Sequence, residues 1–345
     1  MTDIGLRVLD NIHRQLRIDE EWTTRKPRSF SWIGSRLEQT FHATELFEDA
    51  DMLVCRVVAR TPAVRQISAS VADVQREVLL LNRLAVGSAW IYDERSQTLS
   101  IALACTVHEQ TEAVRSGQIA DYAILQLIEA ERSAQELALT LGGDIAIAEH
   151  PARGRRAIPD EMLGLLTLVH ERSGERSLFA DHAELRRVEQ FANDAFGLAF
   201  SAGASDVDVA VEVPFGNDDT SLIYLHAGAP HPVMGNGLLV TSQFRVALPI
   251  DAAMAHVHAL NAGALEPQSV MPLFGAWTVT SANESFAPAF STFIPNLMGR
   301  PGVAVDAASS ALFRATLYDR FQHPTQPPAT NVLEIIRRRT VRPGG

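Results

Sequence analysis

Apolar and polar positions fall in the same order in two stretches of the chain. GSAWIYDERSQTLSIALACTV begins at Gly87 and FGAWTVTSANESFAPAFSTFIP begins at Phe274. Each enters an alternation at a tryptophan, Trp90 or Trp277, breaks at a polar turn (residues 93–97 and 281–285) and resumes. Side chains that alternate with period two mark a strand, so each stretch predicts a β-hairpin.

Other periodicities surround the two hairpins. Ile4, Val8, Ile12 and Leu16 share one helical face over residues 3–18, and SWIGSRLEQTF reads as a second helix over residues 31–41. Three strands follow, HATELFED, MLVCRVVAR and VRQISASV, divided by the turn at residues 49–51 and by Pro62. VADVQREVLLLNRL then puts Val74, Val78, Leu81 and Leu84 on a common helical face. After the first hairpin, AVRSGQIADYAILQLIEAERSAQELALTLGG is a long helix closed by Gly142 and Gly143. EHPARGRRAIPD, residues 149–160, has no periodicity and marks a domain junction, with a short connecting helix after it.

Beyond the junction the order repeats. Asp181 and Glu184 suit a capping box before a helix that stops at Gly197. The strands DVDVAVEV, TSLIYLH and GLLVTSQFRVAL come next, then the helix AAMAHVHALNAG, the second hairpin and the helix AASSALFRATLYDRF. Each half therefore reads α-β-β-β-α-β-β-α. Leu81–Asn82 answers Leu260–Asn261 at an offset of 179, and Trp90 answers Trp277 at 187, with EPQSVMPL taking up the difference. The expected organisation is an N-terminal helix (1–28), a first domain (29–148), a linker with a short helix (149–178), a second domain (179–323) and a Pro-rich, basic tail (324–345).

The composition narrows the class. With 345 residues, 46% of them hydrophobic, the chain is long enough for two domains with real cores. A formal net charge of −11 disfavours nucleic acid as a partner. Lys26 is the only lysine among 30 basic residues, a bias that points to a high-GC bacterium. The charged N-terminus fits no secretory signal, and no apolar run is long enough to insert in a membrane, so a cytoplasmic location is expected. Cys55 and Cys105 lie in apolar strands and read as buried free thiols.

Catalytic motifs are scarce. The P-loop, the three-glycine dinucleotide fingerprint, the Gly-x-Ser-x-Gly elbow and zinc-type cysteine pairs are all missing. Two aspartates on one strand face, Asp206 and Asp208, form the best enzymatic candidate: such a pair can hold a divalent metal, as in the strand of nucleotidyltransferases. The competing reading makes Asp206, Asp208 and Glu212 the solvated face of an ordinary strand.

The repeated order and the pairs LLLNRL…GSAW and HALNAG…FGAW resemble the type III secretion chaperone-like fold, which includes the YbjN-type proteins. That resemblance implies an α+β protein of two tandem units, each an antiparallel sheet packed with helices. It implies a non-enzymatic, cofactor-free scaffold that holds an extended segment of a protein client without ATP, either as a homodimer or as its own pseudo-dimer. The fused form and the tail point to an actinobacterial-type peptide-binding relative. A sheet edge that accepts a partner strand gives this idea a physical basis. Trp277, Phe286, Phe290 and Phe293 in the second hairpin are the expected contact residues, facing either a client or the other half of the chain. Two rivals remain: the metal-dependent enzyme using Asp206 and Asp208, and a self-assembling module that inserts its VLEII tail into a neighbouring copy.

Overall fold

A computed structural model describes residues 3–49, 52–161, 163–164, 176–180, 182–196, 200–202, 208–215, 219–228, 230–244, 246–269, 271–282, 285–299 and 302–322. The chain is α+β, with two antiparallel sheets and helices packed on them. It divides into two compact units, residues 1–172 with 254–277, and residues 173–253 with 278–345.

The first unit opens with α1 (Ile4–Gln15), capped by Asp3, whose carboxylate accepts from the Gly5 and Leu6 amides. Its apolar face is buried, as the spacing predicts. The strands β1 (Thr23–Lys26), β2 (Ser29–Ile33), β3 (Glu38–Ala43), β4 (Phe47–Asp49) and β5 (Met52–Arg65) come next. After them run α2 (Val71–Asn82), the hairpin β6 (Ala89–Asp93) and β7 (Thr98–His108), α3 (Glu112–Leu141) and the short β8 (Asp144–Ile145). The main sheet is ordered β1-β2-β3-β5-β7-β6. α3 packs on β5 and β7 beside α1.

Two expectations fail in this unit. Residues 31–41 are not a helix but parts of β2 and β3, paired antiparallel from Ser29–His42 to Ile33–Glu38. Burial alternates along both, with Phe30 and Trp32 inside on β2 and Gln39, Phe41 and Ala43 inside on β3. A short apolar run does not separate the two periods by itself. Pro62 does not divide two strands either, because β5 runs through it for 14 residues. The proline sits where the register with β7 shifts, at a bulge that needs no amide donor there. The stretch read as a third strand instead contributes Ser70 as the N-cap of α2, accepting from the Asp73 amide.

Residues 149–160, read above as the junction, are fastened to this unit. Arg156 donates to Asp19 Oδ2 at 2.9 Å and to the Ile33 carbonyl at 2.8 Å, and its guanidinium lies 5.2 Å from the Trp22 ring centre. Gly87 answers another constraint: its φ is +64°, and a Cβ there would meet the Tyr122 ring at 1.9 Å.

The second unit contains α4 (His182–Phe196), β9 (Phe200–Ala202), β10 (Asp208–Phe215), β11 (Asp219–His226), β12 (Gly237–Gln243) and the start of α5 (Ile250–Gly263). The hairpin strands β13 (Ala276–Ala282) and β14 (Ser285–Pro295) and the helix α6 (Val303–Gln322) complete the described chain. The sheet order is β9-β10-β11-β12-β14-β13. Counted along its own half, each sheet therefore places the Trp strand at the edge and its hairpin partner inside. Asp181, the proposed helix cap, and the tail from residue 324 lie outside the described residues.

The repeated Leu-Asn and Trp residues meet through one bonding scheme, made twice. Asn82 Oδ1 accepts from the Trp90 amide at 2.8 Å and Asn82 Nδ2 donates to the Trp90 carbonyl at 3.0 Å. Asn261 does the same for Trp277, at 2.8 and 2.9 Å. Both asparagines and both tryptophans are fully or almost fully buried. In each case a side-chain amide, shaped like a peptide group, pairs with the outward backbone of an edge strand and fills the place of a further strand.

Removing the Asn82 side chain leaves a buried N–H and a buried C=O without partners. Asn82→Ala should cost about 2–4 kcal/mol, read as a lower urea midpoint at unchanged slope. Asn82→Asp, which turns a carboxylate oxygen toward the Trp90 carbonyl, should cost at least as much.

Candidate functional site

β6 pairs with β7 only as far as Ala102. Beyond that point the edge of β7 is taken by a segment from much later in the chain. Ala104 and Leu273 exchange backbone hydrogen bonds, Leu273 N to Ala104 O at 2.8 Å and Ala104 N to Leu273 O at 3.4 Å. Thr106 Oγ1 donates to the Ser269 carbonyl at 3.2 Å. Phe274 lies 5.3 Å from the Tyr122 ring, centre to centre, with the Arg115 guanidinium 6.0 Å from it. Leu273 is completely buried. The residues expected only to lengthen a loop, EPQSVMPL, thus form a strap across the first unit, Val270 lying outside the described residues.

Arg56, on β5, anchors it. The side chain has no exposed surface. Nη1 donates to Thr106 Oγ1 at 2.9 Å, and Nη2 donates to the Met271 carbonyl at 2.5 Å and to the Ala264 carbonyl. Ala264 directly follows α5, so the cation meets a carbonyl at the negative end of a helix dipole. That placement offsets part of the cost of burying a charge, which runs to several kcal/mol per ion. Burial nevertheless pulls the guanidinium down to about 10. Its Nε is buried with no hydrogen-bond partner, and all of its acceptors are neutral oxygens.

On the same unit, α3 brings a polar row down onto the sheet. Thr61, Ile101 and Trp90 are cross-strand neighbours on β5, β7 and β6. Gln126 Nε2 donates to Thr61 Oγ1 at 3.1 Å and to the Ile101 carbonyl at 2.9 Å, and Gln39 Nε2 donates to the Ala123 carbonyl at 2.7 Å. Trp90 Nε1 donates to Glu129 Oε1 at 3.0 Å, whereas Glu129 Oε2 is buried without a partner. Desolvation raises this carboxyl to about 7, and the Trp90 bond only partly opposes the shift.

The residues expected to meet a partner are internal. Trp277, Phe290 and Phe293 are buried and Phe286 is half-buried. Phe290 and Phe293 have opposite parity on β14, and both faces are covered where they emerge. The Arg314 guanidinium from α6 stacks 3.3 Å from the Phe290 ring centre, and His231 packs 5.2 Å from Phe293. Phe286 and Leu248 exchange backbone bonds at 2.8 and 3.2 Å. These aromatics pack against the chain's own residues.

Of the two candidate metal ligands, Asp206 lies outside the described residues. Asp208 is paired with His226, its cross-strand neighbour on β11. Among the described residues no group of three or more His, Cys, Asp or Glu side chains is placed to hold a metal ion. Cys55 and Cys105 are free and buried, and burial pushes the Cys55 thiol up to about 12. No described helix is long and apolar enough to cross a membrane. Neither Arg56 nor Glu129 stood out in the sequence. A lone arginine inside the apolar run LVCRVV and a lone glutamate on the inner face of a helix were the available signals.

Compared with known protein families, curated proteins and solved structures, the chain matches none.

Glu129 titrates at about 7 when folded against an ordinary 4.5 when unfolded, so between those values the folded state holds the extra proton. Stability from this group is intact below about pH 4.5 and falls as pH rises through 7, by about 3 kcal/mol in all. Glu129→Gln should therefore match the wild type at pH 4.5 and exceed it by up to that amount at pH 8, measured as the difference between paired denaturation curves.

Proposed function

We propose that this chain is a non-enzymatic, chaperone-like scaffold that holds an extended segment of a protein partner without ATP. In this reading it is built from two tandem copies of one α+β unit of the type III secretion chaperone-like, YbjN-type class. The observation that carries the binding role is the strap. A segment that turns over residues 264–268 and bridges β7 at Leu273 is already held there by bonds to its backbone, from Ala104, Thr106 and Arg56, with that buried leucine as anchor. Contacts of that kind recognise main-chain groups more than sequence, which is what a scaffold for varied segments requires. The matching sheet orders and the doubled Asn–Trp bonding support the duplication.

A holding function has a direct readout. At equimolar or small molar excess and without nucleotide, the protein should suppress the light scattering of a model client aggregating on reduction or heating. It should also shift that client into a complex on size-exclusion chromatography. Unchanged scattering at a tenfold excess, with no complex, would reject the proposal.

A further inference from the structure

The strap is attached unusually for a piece of core. Residues 254–277 belong to the first unit, while the chain on both sides of them belongs to the second. The middle of the strap touches solvent: Glu266, Pro267 and Gln268 are exposed, and Met271, Pro272 and Phe274 are only half-buried. Its hold on β7 is one reciprocal backbone pair, one hydroxyl bond and the Arg56 bonds, with Leu273 as the buried anchor.

Arg56 is the poorly matched member of this contact. A guanidinium offers five N–H donors in a rigid fork suited to a carboxylate, and charge-assisted bonds are about twice as strong as neutral ones. Here the fork meets two carbonyls and a hydroxyl, the buried Nε–H is without a partner, and no carboxylate is among its partners. An occupant that kept the backbone pairing and added a carboxylate would satisfy the cation where the resident segment does not.

Resting on the binding role proposed above, we infer that the β7 edge beyond Ala102, with Arg56 beneath it, is the partner site, and that the chain's own residues 264–269 and 271–274 are its resident occupant. The displacing partner is an extended apolar segment that brings a carboxylate to Arg56, from an acidic side chain or from a free C-terminus. The resident strap keeps the site closed until such a segment competes for it. It also sets an affinity threshold, because displacement subtracts the strap's own binding from the partner's.

Four synthetic probes, in two pairs, test this on the full chain. ALEPQSVM as a free acid and as an amide places or removes a carboxylate at the position of the Met271 carbonyl. Amidated ALEPQSVDPLF supplies the charge from a side chain, against amidated ALEPQSVMPLF as its neutral control. By fluorescence anisotropy at least one acidic probe should bind tenfold or more tightly than its neutral counterpart, and which pair shows the gap identifies the source of the charge. Binding of the eleven-residue probes, which carry the leucine anchor, should abolish hydrogen-exchange protection at the Leu273 amide. Leu273→Ala, which loosens the resident segment without touching Arg56, should tighten every probe about tenfold or more. Arg56→Gln, if folded, should erase the acid preference.

Equal affinity within both pairs, or binding of the eleven-residue probes that leaves Leu273 protection unchanged, overturns the inference. So does a Leu273→Ala protein that binds no better than wild type. If clients are still held in the scattering assay under any of those results, the holding function stands and only this site is lost. If neither protein holds any client, that reading falls too.

Discussion

Everything about the two Trp hairpins depends on an asparagine side chain standing in for a strand. Asn82 and Asn261 each give a hydrogen bond to, and take one from, the outward backbone of an edge-strand tryptophan. A sheet edge of that kind, left bare, is a template for unwanted pairing. The amide closes it at its apolar centre and fixes the end of the preceding helix against the start of the hairpin. The separation between asparagine and tryptophan is 8 residues in the first case and 16 in the second, yet the bonding is the same. With both ends pinned, the additional residues must leave the path between them, and they become the strap.

Polar groups in the first unit then divide by how well they are satisfied. Gln126 finds partners on two strands, and the chain around it is correspondingly fixed. Glu129 and Arg56 each keep one buried atom unmatched, one beneath α3 and the other beneath the strap. Buried groups in that condition lower stability relative to an apolar core, and their energy changes most when the surroundings change. For Glu129 the relevant change is the gain or loss of a proton. For Arg56 it is the replacement of one occupant by another.

The sequence was most legible where its periods were long. α1, α2, α3 and both hairpins follow from spacing, because each shows several turns or alternations bounded by polar residues or glycine. SWIGSRLEQTF was misread because Trp32, Leu37 and Phe41 fit either period over so short a run, and Gly34 lies where Leu127 of α3 comes close. Pro62 looked like a boundary because nothing local reveals a bulge that needs no donor. The Leu-Asn and Trp pairs were visible as a coincidence of offsets, but the hydrogen bonds that explain them are long-range in space. Phe290 and Phe293 differ in parity along β14, so they emerge on opposite faces. What covers them, Arg314 and His231, comes from other elements and could not be read from the strand.

The strap also orders events in time. Residues 1–172 leave the ribosome well before residue 277, and without residues 254–277 the first unit lacks the carbonyls that hold Arg56 and the segment that covers β7. At ordinary elongation speeds of about 5–20 residues per second, the roughly 100 intervening residues take about 5–20 s to synthesise. Through that interval the nascent first unit carries an open strand edge and an uncovered cation. A sheet whose last piece arrives late stays receptive to other chains longest while it is being made.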